Sequence, residues 1–151
     1  MNLSLIIPTY NEKDNIVKLI NKINKVLDKK INYEIIVVDD NSPDETYKIV
    51  KQNFKDNVKV FCRKYDKGLS SAVIFGLEHS NYDTVGVMDA DLSHPPEKLI
   101  ELIETLNMKK ADIVIGSRLV KGGEVEEWPW YRKMISFGAR IIARPLVKVN
   151  D

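Results

Sequence analysis

The chain is predicted to be an α/β domain built on a mostly parallel sheet flanked by helices. Three observations predict it. Short, almost continuously apolar runs recur along the chain, such as Leu3-Ser4-Leu5-Ile6-Ile7 and residues 33–38. Between them lie longer segments whose apolar residues fall at helical spacing. Most of the apolar runs end in a polar corner, as at Asp39-Asp40-Asn41-Ser42. Strands that are apolar throughout, alternating with helices, belong to sheets covered on both faces.

The elements follow in order. Residues 3–7 read as a strand stopped by Pro8. Over 13–28, Ile16, Leu19, Ile20, Ile23, Val26 and Leu27 share one helical face, with lysines and asparagines opposite. A second strand over 33–38 ends at Asp39-Asp40. A second helix is expected over 43–54, capped by Asn41 or Ser42, with Pro43 in its first turn. Residues 58–62 read as a third strand and 69–77 as a helix entered through Lys67-Gly68. Residues 84–88 read as a buried fourth strand. The helix over 95–107 puts Leu99, Leu102, Ile103 and Leu106 on one side. A fifth strand is expected over 112–115. After Gly116 comes a glycine-bearing loop, then a Trp/Tyr/Arg-rich stretch expected to turn helical from about Arg132.

With 151 residues, 44% of them hydrophobic, the chain can bury one sizeable core. Lys and Arg number 23 against 22 Asp and Glu, so the basic excess that drives nucleic-acid binding is missing. The single cysteine, Cys62, excludes an internal disulfide, reads as a buried strand residue and fits a reducing compartment. No N-terminal signal is visible, and no apolar run approaches the ~20 residues that span a bilayer. The protein is therefore expected to be soluble or peripheral.

In parallel sheets, ligands sit outside the carboxyl ends of the strands. Pro8-Thr9-Tyr10-Asn11-Glu12, Asp39-Asp40, Asp89-Ala90-Asp91 and Gly116-Ser117-Arg118 all follow expected strands. They are predicted to converge on one edge. Two neighbouring carboxylates raise each other's pKa unless a cation neutralises them. Oxygen-only ligands suit Mg²⁺ or Mn²⁺, completed by phosphate oxygens and water. His94 lies close in sequence, and no Cys/His cluster suggests zinc. The glycine fingerprint of a dinucleotide site is absent after the first strand, and so is a Walker A loop.

The segments IIPTYNE, IIVVDDNSPDET, GLSSAVIFGL, VMDADLSHPPE, IVIGSRLVKGG and VEEWPWYRKMIS occur in this order over nearly the whole chain. In them the chain resembles an inverting family 2 glycosyltransferase of the GT-A fold. Within that family it most resembles the dolichol-phosphate or polyprenol-phosphate mannosyltransferases. The resemblance implies GDP-mannose as donor, dolichyl or polyprenyl phosphate as acceptor, and Mg²⁺ or Mn²⁺. It implies that Pro8, Tyr10 and Glu12 hold the nucleoside, and that Asp39 contacts base or ribose with Asp40 supporting the loop. It places Asp89 and Asp91 on the metal. Arg118 and Arg132 would face the phosphates of donor and acceptor, and with Asp91 they form the implied catalytic set. Ser93 stands where the family usually has a metal-binding glutamine, and is a weaker ligand. The acceptor's phosphate oxygen is already ionised, so no strong general base is needed, and its direct attack inverts the anomeric carbon.

The resemblance divides the single domain into a nucleotide-sugar-binding part, 1–118, and an acceptor-loop and interfacial segment, 119–151. ARPLVKVND resembles a point from which relatives continue, so a missing C-terminal segment or a completing partner chain is expected. Trp128, Trp130 and Tyr131 beside Arg132 and Lys133 suit peripheral contact at the cytoplasmic face of a membrane. Two alternatives stand beside this reading. One is a nucleotide-sugar-binding domain without transfer activity, and the other is a related transferase using UDP-glucose.

Overall fold

A computed structural model describes residues 2–117. The chain divides into two compact units, Met1–Glu104 and Thr105–Asp151. The first holds strand β1 (Asn2–Thr9), helix α1 (Lys13–Leu27), β2 (Asn32–Asp39), α2 (Thr46–Asn53), β3 (Val58–Cys62), α3 (Leu69–Glu78) and β4 (Val85–Val87). A 3₁₀ turn, Pro96–Lys98, leads into α4 (Leu99–Met108), which crosses the division.

The four strands are parallel, in the order β3-β2-β1-β4. The register pairs Thr9 with Asp39, and Asp39 with Cys62. Three strands therefore finish in one row, and the polar corners that follow them start from a common edge.

Side chains alternate across a strand, so β1 and β2 feed two cores. Leu3, Leu5, Ile7, Ile35 and Val37 pack with Ile16, Leu19, Ile20, Ile23 and Leu27 of α1. Ile6, Ile36 and Val38 pack on the other face with Ala72 of α3, bordered by Phe61 and Phe75. Both central strands are buried on both sides, which is why their sequences are apolar throughout.

The second face also contains a buried charge. The Glu34 carboxylate accepts the Ser4 hydroxyl at 2.6 Å and the Asn81 backbone and side-chain N–H groups at 2.6 and 3.0 Å. Lys59 Nζ lies 2.7 Å from Oε2. Ser4 Oγ in turn accepts the Tyr82 N–H at 3.1 Å. This network pins the α3–β4 connection to the sheet. Burial pushes the Glu34 carboxyl up, but Lys59 and the hydrogen bonds outweigh it and leave the group below the usual glutamate range.

Five expectations are corrected. Helix α2 begins at Thr46, not at residue 43. Ser42 is drawn back to Asp39, and its carbonyl accepts the Glu45 N–H, closing a turn over the residues expected to be helical. Asp44, not Asn41 or Ser42, receives the Thr46 N–H and hydroxyl. The fourth strand is a three-residue edge with Val87 51% exposed, because among the described residues it pairs only with β1. Residues 112–115 form no strand, and Ile113 and Ile115 are exposed. An apolar run becomes a strand only where a ladder partner takes its backbone groups, and among the described residues this one has none. Cys62 is exposed at the end of β3, an outer strand, with its Sγ 3.6 Å from Asn41 Oδ1.

Candidate functional site

The β1–α1 and β2–α2 corners are stitched together side by side. Asn11 takes a left-handed turn, φ 61°, and its N–H donates to Ser42 Oγ at 3.0 Å. The Glu12 N–H donates to Thr46 Oγ1 and the Lys13 N–H to an Asp44 oxygen, each at 3.0 Å. The first N–H groups of α1 are thus satisfied by side chains at the start of α2 rather than by a cap of their own. Burial pushes the Asp44 carboxyl up, but its bonds to Thr46 and Lys13 leave it below the usual aspartate range.

Asp39 is fully buried at the centre of this arrangement. It accepts the Thr9 hydroxyl at 3.0 Å, the Ser42 N–H at 2.9 Å and the Ser42 hydroxyl. Both oxygens of its carboxylate are therefore occupied by protein donors and closed to solvent. Asp40, also buried, accepts Arg63 Nε at 2.9 Å, Arg63 Nη2, and the Gly68 N–H at 2.7 Å. Around this acidic floor, Pro8 is half-buried, Tyr10 is 57% exposed, and Glu12 is half-buried with its carboxylate accepting Asn15 Nδ2.

The second group follows β4. The Met88 N–H continues the ladder to the Ile6 carbonyl at 3.0 Å. Met88 and Ala90 are buried in the core, whereas Asp89 and Asp91 between and after them are exposed. The same alternation thus keeps both carboxylates on the solvent side. His94 Nε2 lies 3.5 Å from Asp89 Oδ2. Asp91 Oδ1 accepts the Ser93 N–H at 2.9 Å, a tight aspartate turn. Between them Leu92 is held at φ 63° with its side chain against the core, a backbone state that costs a branched residue about 1–2 kcal/mol.

Among the described residues no group of three or more His, Cys, Asp or Glu side chains is placed to hold a metal. The donor chemistry still suits one. Two exposed carboxylates are hard oxygen ligands at an open corner, and Mg²⁺ or Mn²⁺ takes such pairs with phosphate and water filling the remaining positions. Arg118 and Arg132 lie outside the described residues, as do Trp128, Trp130, Tyr131 and Lys133. No described helix is long and apolar enough to cross a membrane. Sequence reading missed Arg63. The signal available for it was its place one residue past the third strand, in the row that follows Asp39.

A parallel sheet with helices on both faces defines an α/β domain, and its acidic corners lie at the carboxyl ends of the strands, where such sheets take their ligands. Residues 4–149 match the sequence model of glycosyl transferase family 2, and the chain belongs to that family. It is 51% identical over 153 aligned residues to a dolichol-phosphate mannosyltransferase of Pyrococcus furiosus, covering 100% of this chain and 43% of that protein. The chain thus spans less than half the length of this relative. Among solved structures it is similar to the mannosyltransferase PcManGT from Pyrobaculum calidifontis in complex with GDP-Man and Mn²⁺. That match has a TM-score of 0.62 at 26% identity, over 69% of this chain and 32% of the other. It is also similar to S. aureus TarS 1-349 in complex with UDP-GlcNAc, with a TM-score of 0.65 at 25% identity, over 80% of this chain and 38% of the other. The fold is therefore the GT-A glycosyltransferase fold.

Proposed function

We propose that this chain carries the donor-binding part of a metal-dependent, inverting glycosyltransferase that moves mannose from GDP-mannose to dolichyl or polyprenyl phosphate. The observation that supports it is the exposed Asp89 and Asp91 pair at the end of β4, in a family 2 chain. The likeness to a dolichol-phosphate mannosyltransferase suggests the acceptor, and the likeness to a mannosyltransferase complexed with GDP-Man and Mn²⁺ suggests the donor.

In this reading Asp89 and Asp91 hold the metal, with Ser93 a weak further ligand. A bound Mg²⁺ or Mn²⁺ would offset the charge of the donor's diphosphate. Pro8, Tyr10, Glu12 and Asp39 line the nucleoside side. Arg118 and Arg132 offer planar, permanently charged forks to donor and acceptor phosphates. The lipid phosphate attacks the anomeric carbon directly, the nucleoside diphosphate departs from the opposite side, and no protein base is required. Trp128 and Trp130 rest at the cytoplasmic face of a membrane, where the acceptor resides. Liposome flotation tests this last point: Trp128→Ala/Trp130→Ala should release the protein, and unchanged flotation overturns peripheral contact through these residues.

The donor is tested by calorimetric titration of GDP-mannose and UDP-glucose, each with and without MnCl₂, followed by a mannosyl-transfer assay on polyprenyl phosphate. Mn²⁺-dependent binding of GDP-mannose with transfer supports the reading. Preference for UDP-glucose would replace the donor, an alternative that the likeness to TarS with UDP-GlcNAc keeps in view. Binding without transfer would reduce the chain to a donor-binding domain.

A further inference from the structure

Arg63 and Asp40 form the most buried ion pair among the described residues, and they sit at the ligand edge of the sheet. A buried pair adds little net stability, because desolvation offsets attraction. What this pair does is fix geometry. The Arg63 N–H bonds to the Asp39 carbonyl at 2.8 Å, continuing the β2–β3 ladder. Arg63 Nε donates to Asp40 Oδ1, and Nη2 donates both to that oxygen and to the Gly68 carbonyl, the last at 3.2 Å. Asp40 Oδ2 receives the Gly68 N–H. One carboxylate therefore holds both ends of the turn 63–68.

The turn so closed is a demanding one. Asp66 takes φ 53° and Gly68 φ 132°, conformations that L residues rarely adopt. The Ser71 hydroxyl bonds the carbonyls of Asp66 and Gly68 from the first turn of α3. Across from the turn stands the β1–α1 corner, and the exposed Lys67 ammonium lies 6.0 Å from the Tyr10 ring centroid. The Arg63 charge is matched by Asp40, whereas Lys67 brings its charge to the aromatic ring named above as a nucleoside contact.

We propose that Asp40 and Arg63 are positioning residues for the nucleotide site: they hold the 63–68 turn so that Lys67 stands over Tyr10 and meets an anionic oxygen of a nucleoside diphosphate. Asp40 then acts through the turn rather than by touching the ligand. The inference rests on the nucleotide-sugar reading. A lysine on an unfixed surface turn would be one more solvated charge, and the clamp removes backbone freedom of the turn that would otherwise weaken its contact.

The test is calorimetric titration of GDP and of UDP, with MnCl₂, into the full 151-residue chain and its variants, with circular dichroism reporting the folded fraction. Lys67→Ala and Arg63→Lys should each weaken the nucleotide that the wild type binds by roughly tenfold, and the double variant should bind no worse than either single one, since both remove the same contact. Glu34→Gln alters a carboxylate about as buried as Asp40 at the far end of β2 and should keep wild-type affinity, which separates positioning from loss of stability. Unchanged affinity in Lys67→Ala, a surface substitution that folds whatever Arg63→Lys does, overturns the inference. Additive losses in the double variant overturn it too. A wild type that binds neither nucleotide overturns the functional reading and this inference together, whereas a binding wild type with unaffected variants sinks only the clamp.

Discussion

Gly76 of α3 lies so close to Ile6 of β1 that a Cβ on Gly76 would meet Ile6 Cγ2 at 2.5 Å, with Cγ1 and Cδ1 each at 3.0 Å. Ile6 is fully buried and cannot swing into solvent. The helix covers this face of the sheet because one of its positions has no side chain. Gly76→Ala sets two effects against each other. Alanine favours the helix by about 1 kcal/mol. Overpacking against Ile6 costs about 1–3 kcal/mol. The net effect should be a loss of stability, seen as a lower urea midpoint at unchanged slope. A midpoint equal to or above that of the wild type would show that α3 is not seated on Ile6.

Glu34 should make the fold sensitive to acid. Its carboxyl lies below the usual glutamate range when folded, despite burial, because Lys59, Ser4 and Asn81 favour the ionised form. A group depressed in the folded state contributes stability above its unfolded pKa and loses it as pH falls through the folded value. The wild type should therefore weaken on acidification from the ordinary glutamate range downwards. Glu34→Gln should lower stability near neutrality by about 1–3 kcal/mol, since buried donors lose a charged acceptor. Its stability should also fall less steeply towards acid. Urea melts at several pH values check both. Parallel curves for the two proteins would remove Glu34 as a source of the pH dependence.

How far the fold was legible depended on where each signal lives. The apolar runs of β1 and β2 were plain because both faces of these strands are buried, and the α1 stripe was plain because its five buried residues share one face. The start of α2 was not, because Asn41, Ser42 and Asp44 are all capable caps, and the turn that draws Ser42 back to Asp39 is held by tertiary bonds from Asn11 to Ser42 and from Lys13 to Asp44. The edge character of β4 and the irregular course of 112–115 depend on which neighbours supply a ladder, which no local pattern encodes. At the candidate site, the acids were readable as strand-end residues. The partner of Asp40 was not, because Arg63 lies 23 positions away and only strand register brings the two together.

The turn after α1 offers a stabilising change. The Lys30 N–H bonds to the Leu27 carbonyl at 3.1 Å, Asp28 has φ −55° and ψ 135°, and Lys29 has φ 61°. These values suit a type II turn, whose third position favours glycine. Left-handed backbone costs a lysine about 1–2 kcal/mol, and glycine adds an unfolded-state entropy penalty of about 0.5–1 kcal/mol. Lys29→Gly should therefore raise stability by about 0.5–1 kcal/mol, the smaller penalty only partly cancelling the relief. Thermal melting decides it, and a lowered Tm would mean that the Lys29 side chain contributes more than its exposed position suggests.

Asp89 and Asp91 are both exposed, so replacing either should leave the fold intact while removing metal-linked binding. Asp91 anchors its own turn by accepting the Ser93 N–H, and Asp89 faces His94. Asp91→Asn keeps an acceptor for Ser93 and removes the charge, which isolates the electrostatic role. Losing one of two carboxylates from an open site should weaken Mn²⁺-dependent nucleotide binding by at least about tenfold, some 1.4 kcal/mol. Binding measured without Mn²⁺ should hold or improve, because one negative charge facing the diphosphate is gone. Titrations of Asp89→Asn and Asp91→Asn with GDP, with MnCl₂ and with EDTA, test this opposite response. Equal losses in both conditions would mean that the carboxylates bind nucleotide without a cation. His79→Ala serves as the contrast, since His79 closes α3 and stacks on Phe75 at 4.1 Å, and it has no part in the proposed metal site. An Asp91→Asn protein that keeps its Mn²⁺ response while His79→Ala loses it would place the metal elsewhere.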